Sequence, residues 1–152
     1  MSGVPNKSPI DVLLVEDNPG DARLAKEALK EGASKLDYRL HHVKDGVEAL
    51  DFMFRKGDYA TAVRPDIVLL DLNLPRKDGR EVLAEIKEDD NLKLIPVLIL
   101  TTSQAERDIL DTYSLHANGY VSKPLDLDEF ASVVASIQDF WFTTAKLPQE
   151  DK

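Results

Sequence analysis

The segment "IVLLDLNLP" (Ile67–Pro75) decides the fold, because it joins an apolar strand to an acidic end. The aliphatic run Ile67–Leu70 leads directly into Asp71, and Pro75 follows shortly after. A strand that is apolar throughout is typical of a parallel sheet covered on both faces. A carboxylate after such a strand is commonly a turn residue, but it can also be a nucleophile or a metal ligand at the sheet rim. The rest of the chain has to decide between these interpretations.

Composition and charge exclude several classes of protein. The chain has 152 residues, 43% of them hydrophobic, which predicts one globular domain with a substantial core. There is no cysteine, so a disulfide framework is excluded and a reducing, cytoplasmic location is expected. No apolar run approaches the roughly 20 residues of a transmembrane helix, so no membrane association is expected. The net charge of −9 argues against a nucleic-acid partner, because such binding depends on neutralising phosphates.

Apolar runs alternate with helical patterns along the chain. Five runs are predicted to be strands: Ile10–Val15, Tyr38–Val43, Asp66–Leu70, Ile95–Leu100 and Gly119–Lys123. A helix start follows each strand, marked by a capping residue: Asn18, Asp45, Asp78, Ser103 and Asp126. The pattern predicts a (βα)5 chain, which is an α/β fold with a parallel sheet.

Right-handed crossovers with helices on both faces make a doubly wound, flavodoxin-like sheet the expected architecture. The predicted strand order is 2-1-3-4-5. Residues 1–9 and 148–152 are polar and contain proline, and we expect flexible ends there. The domain itself is predicted to span residues 10–147, including an extended last helix.

Polar residues gather at the carboxyl ends of the predicted strands, where open α/β sheets bind ligands. Glu16 and Asp17 follow the first strand, Asp71 the third, Thr101 the fourth and Lys123 the fifth. In the predicted order the first and third strands are neighbours, so three carboxylates come within reach of one another. Crowded carboxylates favour a cation, and their hard oxygens suit Mg²⁺. With Lys123 and a Thr101 hydroxyl beside them, one carboxylate can act as a nucleophile toward a phosphoryl group.

These residues together resemble the receiver domain of bacterial two-component response regulators. The similarity is carried, in the family's order, by "LLVEDN", "LLDLNLPRKDG", "LILTTS" and "GYVSKPLD". It implies that the protein is a phosphoacceptor regulator and not an enzyme, and that a histidine kinase phosphorylates it. It also implies a downstream protein target, and since the chain ends soon after the fifth helix we expect a stand-alone regulator.

The resemblance further implies a role for each matching residue. Asp71 would be the phosphoacceptor, and Lys123 would contact the phosphoryl group. Mg²⁺ would be bound by Asp17, Asp71 and the backbone carbonyl of Asn73, with Glu16 acting through water. Thr101 and Tyr120 would form the switch pair on a surface made by the fourth helix, the fifth strand and the fifth helix.

The last helix carries a second kind of signal. Phe140, Trp141 and Phe142 are consecutive and span about 200° of a helix, so one core-facing stripe cannot cover all three. Exposed aromatics favour an interface, and a homodimer is predicted; folding back of the tail "TTAKLP" is the alternative. The tail, with "LNLPRKDGREVLAEIK", resembles stand-alone regulators paired with bacterial phytochromes, which are commonly dimeric. A phytochrome is therefore a candidate kinase.

Two other functions fit parts of the pattern. A phosphatase of the haloacid-dehalogenase type also uses a strand-end aspartate with Mg²⁺, threonine and lysine. In that phosphatase family the nucleophile begins a D-x-D motif, and the second aspartate of the motif is the general acid. Here Asn73 stands at the position of the second aspartate, so the acid is missing. A degenerate receiver used only as a protein-binding module is the other alternative, although all of the expected site residues are present.

Overall fold

A parallel sheet of five strands organises the part of the chain that the structure describes. The computed structural model describes residues 10–32, 38–101 and 119–123. The strands are β1 (Ile10–Val15), β2 (Tyr38–Val43), β3 (Ile67–Asp71), β4 (Val97–Thr101) and β5 (Gly119–Ser122). All neighbouring strands are parallel, and their order is β2-β1-β3-β4-β5. The predicted architecture and strand order are confirmed.

Helices lie on both faces of this sheet, so the sheet divides the hydrophobic core into two parts. In the described ranges they are α1 (Pro19–Gly32), α2 (Gly46–Phe54) and α3 (Gly79–Glu88). α1 packs Ala22, Ala25 and Leu29 against one face, while α2 and α3 cover the other. Because successive strand residues point to opposite faces, β1 and β3 supply apolar side chains to both cores. None of these helices is long and apolar enough to span a membrane.

The described helices begin at the predicted caps. Asn18 Oδ1 accepts a hydrogen bond from the Asp21 N–H at 2.8 Å at the start of α1. Asp45 Oδ1 accepts from the Glu48 N–H at 2.8 Å at the start of α2. At α3 the cap is reciprocal, since Asp78 accepts from the Arg80 N–H and donates its own N–H to a neighbouring glutamate. Each cap satisfies N–H groups that a helix start leaves without partners.

The boundaries of three strands differ from the prediction, and the smallest difference is at β5, which ends at Ser122 and not at Lys123. β4 begins at Val97 and not at Ile95, because Leu92–Leu94 form a 3-10 turn that ends at Ile95, and Pro96 has no N–H to give to the sheet. β3 begins and ends one residue later than predicted, at Ile67 and Asp71, so Asp71 is the last strand residue. Asp71 is therefore fixed by the sheet itself.

The connection Gly57–Pro65 between α2 and β3 is more than a surface loop. It begins with a 3-10 turn at Gly57–Tyr59, and Tyr59, Ala62 and Val63 pack half-buried against the core on the α2 and α3 side. The Tyr59 ring lies 5.4 Å from the ring of Phe52. The connection thus covers the end of α2.

Polar contacts join the strands at the edge opposite their carboxyl ends. Asp11 on β1 is buried, and its carboxylate accepts two hydrogen bonds from the Arg39 guanidinium on β2, at 3.0 and 3.2 Å. The Asp11 N–H donates to Asp66 Oδ2 at 2.8 Å, just before β3. The Asp66 N–H donates in return to the Asp11 carbonyl at 2.7 Å. These bonds tie β1 to both of its neighbours.

Candidate functional site

Three carboxylates meet at the carboxyl ends of β1 and β3. One oxygen from each of Glu16, Asp17 and Asp71 lies within 4.8 Å of the other two. Glu16 and Asp71 are buried, at 1% and 3% exposure, whereas Asp17 is exposed. The topology accounts for this proximity, since β1 and β3 are paired neighbours in the sheet. The site is thus closed on the sheet side and open toward solvent at Asp17.

The backbone after β1 is held by three hydrogen bonds around Glu16. Its N–H donates to the Val43 carbonyl at 3.1 Å, and its carboxylate accepts from the Asn18 N–H at 3.1 Å. His42 Nε2 lies 2.8 Å from the Glu16 carbonyl oxygen. Because a carbonyl can only accept, Nε2 must carry the proton of that bond. The strand end and the edge strand β2 therefore position the acidic pair together.

The loop after β3 is fixed just as closely around Asp71. The Asn73 N–H donates to Asp71 Oδ1 at 3.2 Å, and the Gly79 N–H donates to the Leu72 carbonyl at 2.9 Å. Gly79 passes so close to the Asp71 carbonyl and to Leu72 that a Cβ would overlap them. Only glycine fits at that position of α3 without a shift of the backbone.

A second contact holds the same loop against α2. Gly46 lies against the Lys77 backbone, where a Cβ would overlap the carbonyl group. Arg76 adopts a left-handed conformation with φ 67° and donates to Asp45 Oδ2 at 3.2 Å. Asp45 therefore caps α2 and binds the loop through the same carboxylate. The loop has little freedom to move independently of α2.

Lys123 reaches the carboxylates from the end of β5. Its Nζ lies 3.0 Å from Asp21 Oδ2, 3.1 Å from Glu16 Oε1 and 3.4 Å from Asp71 Oδ2. Burial lowers the pKa of Lys123, but the hydrogen bond to Asp21 and the charge of Asp71 outweigh it, so the pKa lies above the usual lysine value. Lys123 is therefore charged at neutral pH.

For Glu16, the effects that favour the neutral carboxyl group outweigh those that favour the charged one. Burial, and next the charge of Asp71, raise the pKa of Glu16 from 4.5 to about 7, although the Asn18 N–H and Lys123 act against the rise. Glu16 Oε1 is buried and makes no hydrogen bond of regular geometry, even with the ammonium of Lys123 3.1 Å away. A buried acceptor without a hydrogen bond costs free energy unless a further group reaches it.

The residues present fit a hard divalent cation. They offer carboxylate oxygens only, they lie at bonding range of one ion, and Glu16 Oε1 still has capacity to accept. A cation would also relieve the repulsion between Glu16 and Asp71, which raises the pKa of Glu16 beyond the effect of burial. An acidic pocket suited to a divalent metal is thus built into the fold.

Three of the remaining predicted site residues, Asn73, Thr101 and Tyr120, lie in the described part of the chain. Thr101 is the last residue of β4 and pairs in register with Ser122, so its backbone lies at the same sheet edge. Tyr120 is half-buried on β5 and packs against the core on the α2 and α3 side. Asn73 follows Asp71 in the loop. Phe140, Trp141 and Phe142 lie outside the described residues.

Two residues of the site were not predicted to belong to it. Asp21 shows in the sequence only as an acidic residue in the first turn of α1, a common feature of helix starts. His42 shows only as one of two adjacent histidines on a strand. The contacts of Asp21 with Lys123 and of His42 with Glu16 join distant parts of the chain, and no local pattern reports them.

The parallel sheet with an acidic cluster and a lysine at its carboxyl edge defines the class of protein. Residues 12–135 match the family described as the response regulator receiver domain, and the chain belongs to that family. This confirms the resemblance inferred from the motifs.

Particular members of the family are similar over nearly the whole chain. The response regulator Rcp1 of Synechocystis sp. (strain ATCC 27184 / PCC 6803 / Kazusa) is 47% identical over 137 residues, which are 90% of this chain and 92% of Rcp1. A crystal structure of the phosphorylated cyanobacterial phytochrome response regulator RcpA is 48% identical, with a TM-score of 0.74, over 93% of this chain and 100% of that one. The Mn²⁺-bound form of Rcp1 is 47% identical, with a TM-score of 0.73 and the same coverage. The chain is thus related to phytochrome response regulators.

Proposed function

We propose that this receiver domain accepts a phosphoryl group from a histidine kinase onto Asp71 and passes the signal to a protein target. One observation carries the proposal: Glu16, Asp17, Asp71 and Lys123 converge at a single sheet edge. Family membership supports it, since receiver domains act as phosphoacceptors and not as enzymes that turn over other substrates. Asp71 is preferred as the acceptor because it ends the central strand β3 and faces the ammonium of Lys123.

In the proposed reaction an Asp71 carboxylate oxygen attacks the phosphorus of a phosphohistidine. The phosphorus–nitrogen bond breaks, its electron pair stays on the imidazole nitrogen, which takes up a proton, and an acyl phosphate forms on Asp71. The Asn73 N–H, 3.2 Å from Asp71 Oδ1, orients the carboxylate. Lys123, 3.4 Å from Asp71 Oδ2, is placed to balance the charge of the arriving phosphoryl oxygens.

We propose Mg²⁺ as the resident cation. Asp17, Asp71 and the Asn73 carbonyl would hold it, with Glu16 acting through water, and it would supply charge neutralisation to the phosphoryl group. The support is the all-oxygen donor set, together with the Mn²⁺-bound form of the related Rcp1.

Phosphorylation assays test the acceptor and the cation together. The protein is incubated with acetyl phosphate or a histidine kinase, and the modified residue is located by mass spectrometry. We expect label on Asp71 that Asp71→Asn and a chelator both abolish, whereas the exposed control Asp90→Asn keeps full labelling. Label that persists in Asp71→Asn would refute the assignment of the acceptor.

The kinase is proposed to be a phytochrome. The support is the similarity to Rcp1 and to RcpA, which is a cyanobacterial phytochrome response regulator. A phosphotransfer panel of purified histidine kinases tests this, with short reaction times so that the preferred kinase is distinguished by rate. Transfer from a phytochrome kinase no faster than from unrelated kinases would argue against the link.

We propose that phosphorylation shifts an equilibrium through Thr101 and Tyr120 at the switch surface. A phosphoryl group adds about −1.5 to −2 charge and new acceptor oxygens, toward which the Thr101 hydroxyl can turn. The measurement is the chemical shifts of Tyr120 with and without beryllofluoride, in wild type and in Thr101→Ala. We expect the response to be lost in the variant, and an unchanged response would exclude the coupling.

A homodimer is proposed through the same surface, with Phe140, Trp141 and Phe142 as its aromatic contacts. Sedimentation across micromolar concentrations, with and without beryllofluoride, measures the association. We expect Phe140→Ala or Phe142→Ala to weaken the dimer. A monomer at every concentration would contradict the proposal and would favour a tail that folds back over the aromatics.

A further inference from the structure

Lys123 contacts more carboxylates than its part in the proposed function requires. Its ammonium lies within 3.4 Å of Asp71 and 3.1 Å of Glu16, but its shortest contact, 3.0 Å, is to Asp21 on α1. An ammonium has only three N–H donors, and three carboxylates already surround this one. Asp21 therefore competes with Glu16 and Asp71 for the same ammonium.

The three carboxylates differ in how easily they can release the ammonium. The side chains of Glu16 and Asp71 are 1% and 4% exposed, whereas that of Asp21 is 35% exposed. Water can replace the lysine at an exposed carboxylate, but a buried carboxylate that loses its partner is left desolvated. Asp21 is thus the contact that costs least to break.

We propose that Asp21 is a positioning residue that draws part of the Lys123 ammonium's interaction from Asp71 until a phosphoryl group arrives. This inference rests on the proposed function of Asp71. With Asp21 in place, the ammonium is shared, and less of its charge opposes a cation at Asp71 and Glu16. When phosphoryl oxygens appear beside Asp71 they need an N–H donor, and Lys123 gives up Asp21 to supply it.

The inference predicts that a single variant, Asp21→Asn, changes its affinities for two ligands in opposite directions. In Asp21→Asn, Lys123 turns fully to Asp71 and Glu16, so Mg²⁺ binds more weakly, by roughly threefold to tenfold, the range open to a partly exposed ion pair. Beryllofluoride, which imitates the phosphoryl group, should bind more tightly by a similar factor at saturating Mg²⁺. A variant that only disturbed the fold would weaken both ligands.

Titration calorimetry measures both affinities in the full chain. Glu27→Gln is the matched control, since it removes one negative charge from an exposed position of α1, and both affinities should stay within about twofold of wild type. A Lys123→Met background separates the two ways in which Asp21 could act. There Asp21→Asn should change Mg²⁺ affinity by less than about twofold, because no ammonium is left to redirect.

The outcomes separate this inference from the function on which it rests. Wild type that binds no divalent cation would overturn the proposed function and the role of Asp21 with it. Wild type that binds Mg²⁺, with Asp21→Asn unchanged or weaker for both ligands, would overturn only the role of Asp21. An effect of Asp21→Asn that persists in full in the Lys123→Met background would also overturn it, since Asp21 would then act through its own charge.

Discussion

Replacing Glu16 with glutamine should make the metal-free protein more stable at neutral and alkaline pH. The Glu16 side chain is 1% exposed. Burial and the charge of Asp71 raise its pKa from 4.5 to about 7. At about 1.4 kcal/mol for each pKa unit, the rise corresponds to about 3 kcal/mol in the free energy of unfolding.

The sign follows from which state holds the proton. Between pH 4.5 and about 7 the folded protein keeps a proton on Glu16 that the unfolded chain has lost. The folded state therefore binds more protons in that window, and its stability falls as the pH rises through it. The contribution is fully present below pH 4.5 and is lost above about pH 7. Glutamine keeps the shape of the side chain and never ionises, so Glu16→Gln does not lose it.

The measurement is urea unfolding in the presence of a chelator at several pH values from 4.5 to 8.5. The stability difference between Glu16→Gln and wild type should grow by about 3 kcal/mol across that range. Groups that do not interact with Glu16 cancel in the difference, and the exposed control Glu27→Gln should show no such growth. A difference that stays constant within about 1 kcal/mol would refute the argument.

Three further substitutions test the structure around the site. Gly79→Ala should destabilise the protein by about 2 kcal/mol or more in urea unfolding, because its Cβ would overlap the Asp71 backbone. Gly20→Ala is the control, since its Cβ meets only Asn18 Oδ1, at 3.3 Å, and its stability should change by less than about 1 kcal/mol. Arg55→Gly should raise the thermal midpoint, with a gain of up to about 1 kcal/mol, because Arg55 ends α2 at φ 58°. Asp45→Ala should cost about 1–2 kcal/mol in urea unfolding, and Asp45→Ser, which retains a cap but not the ion pair with Arg76, should recover part of that loss. Equal losses in both Asp45 variants would show that the cap contributes little.

The sheet could be predicted from sequence because its signals are local. β1 and β2 have the predicted limits, since an apolar run and a following cap lie within a few residues of each other. β4 was misplaced at its start because Ile95 and Pro96 continue the apolar pattern, while the 3-10 turn before them decides where pairing begins. Periodicity alone does not report such a turn.

The part of the candidate site that depends only on strand order could be predicted from sequence. Once β1 and β3 are neighbours, the residues that end them must lie together, and Glu16, Asp17 and Asp71 do so. The contact between Lys123 and Asp21 could not be predicted, because it depends on where α1 places its first turn relative to β5. Such contacts depend on how long the packed helices and strands are and on the angles between them, and the sequence pattern reports neither.

The two-sided core has a consequence for how β1 finds its place. A strand with one apolar face is held in register by hydrophobicity, since a slip of one residue would turn that face to water. β1 is apolar on both faces, so the same slip would exchange one buried set for another at little cost in burial. Alignment then depends on the bonds from Asp11 to Arg39 and Asp66, far from the acidic cluster. Exchanging one aliphatic residue of β1 for another therefore leaves the register of the strand unchanged, whereas loss of the Asp11 contacts would remove what aligns β1 with its neighbours.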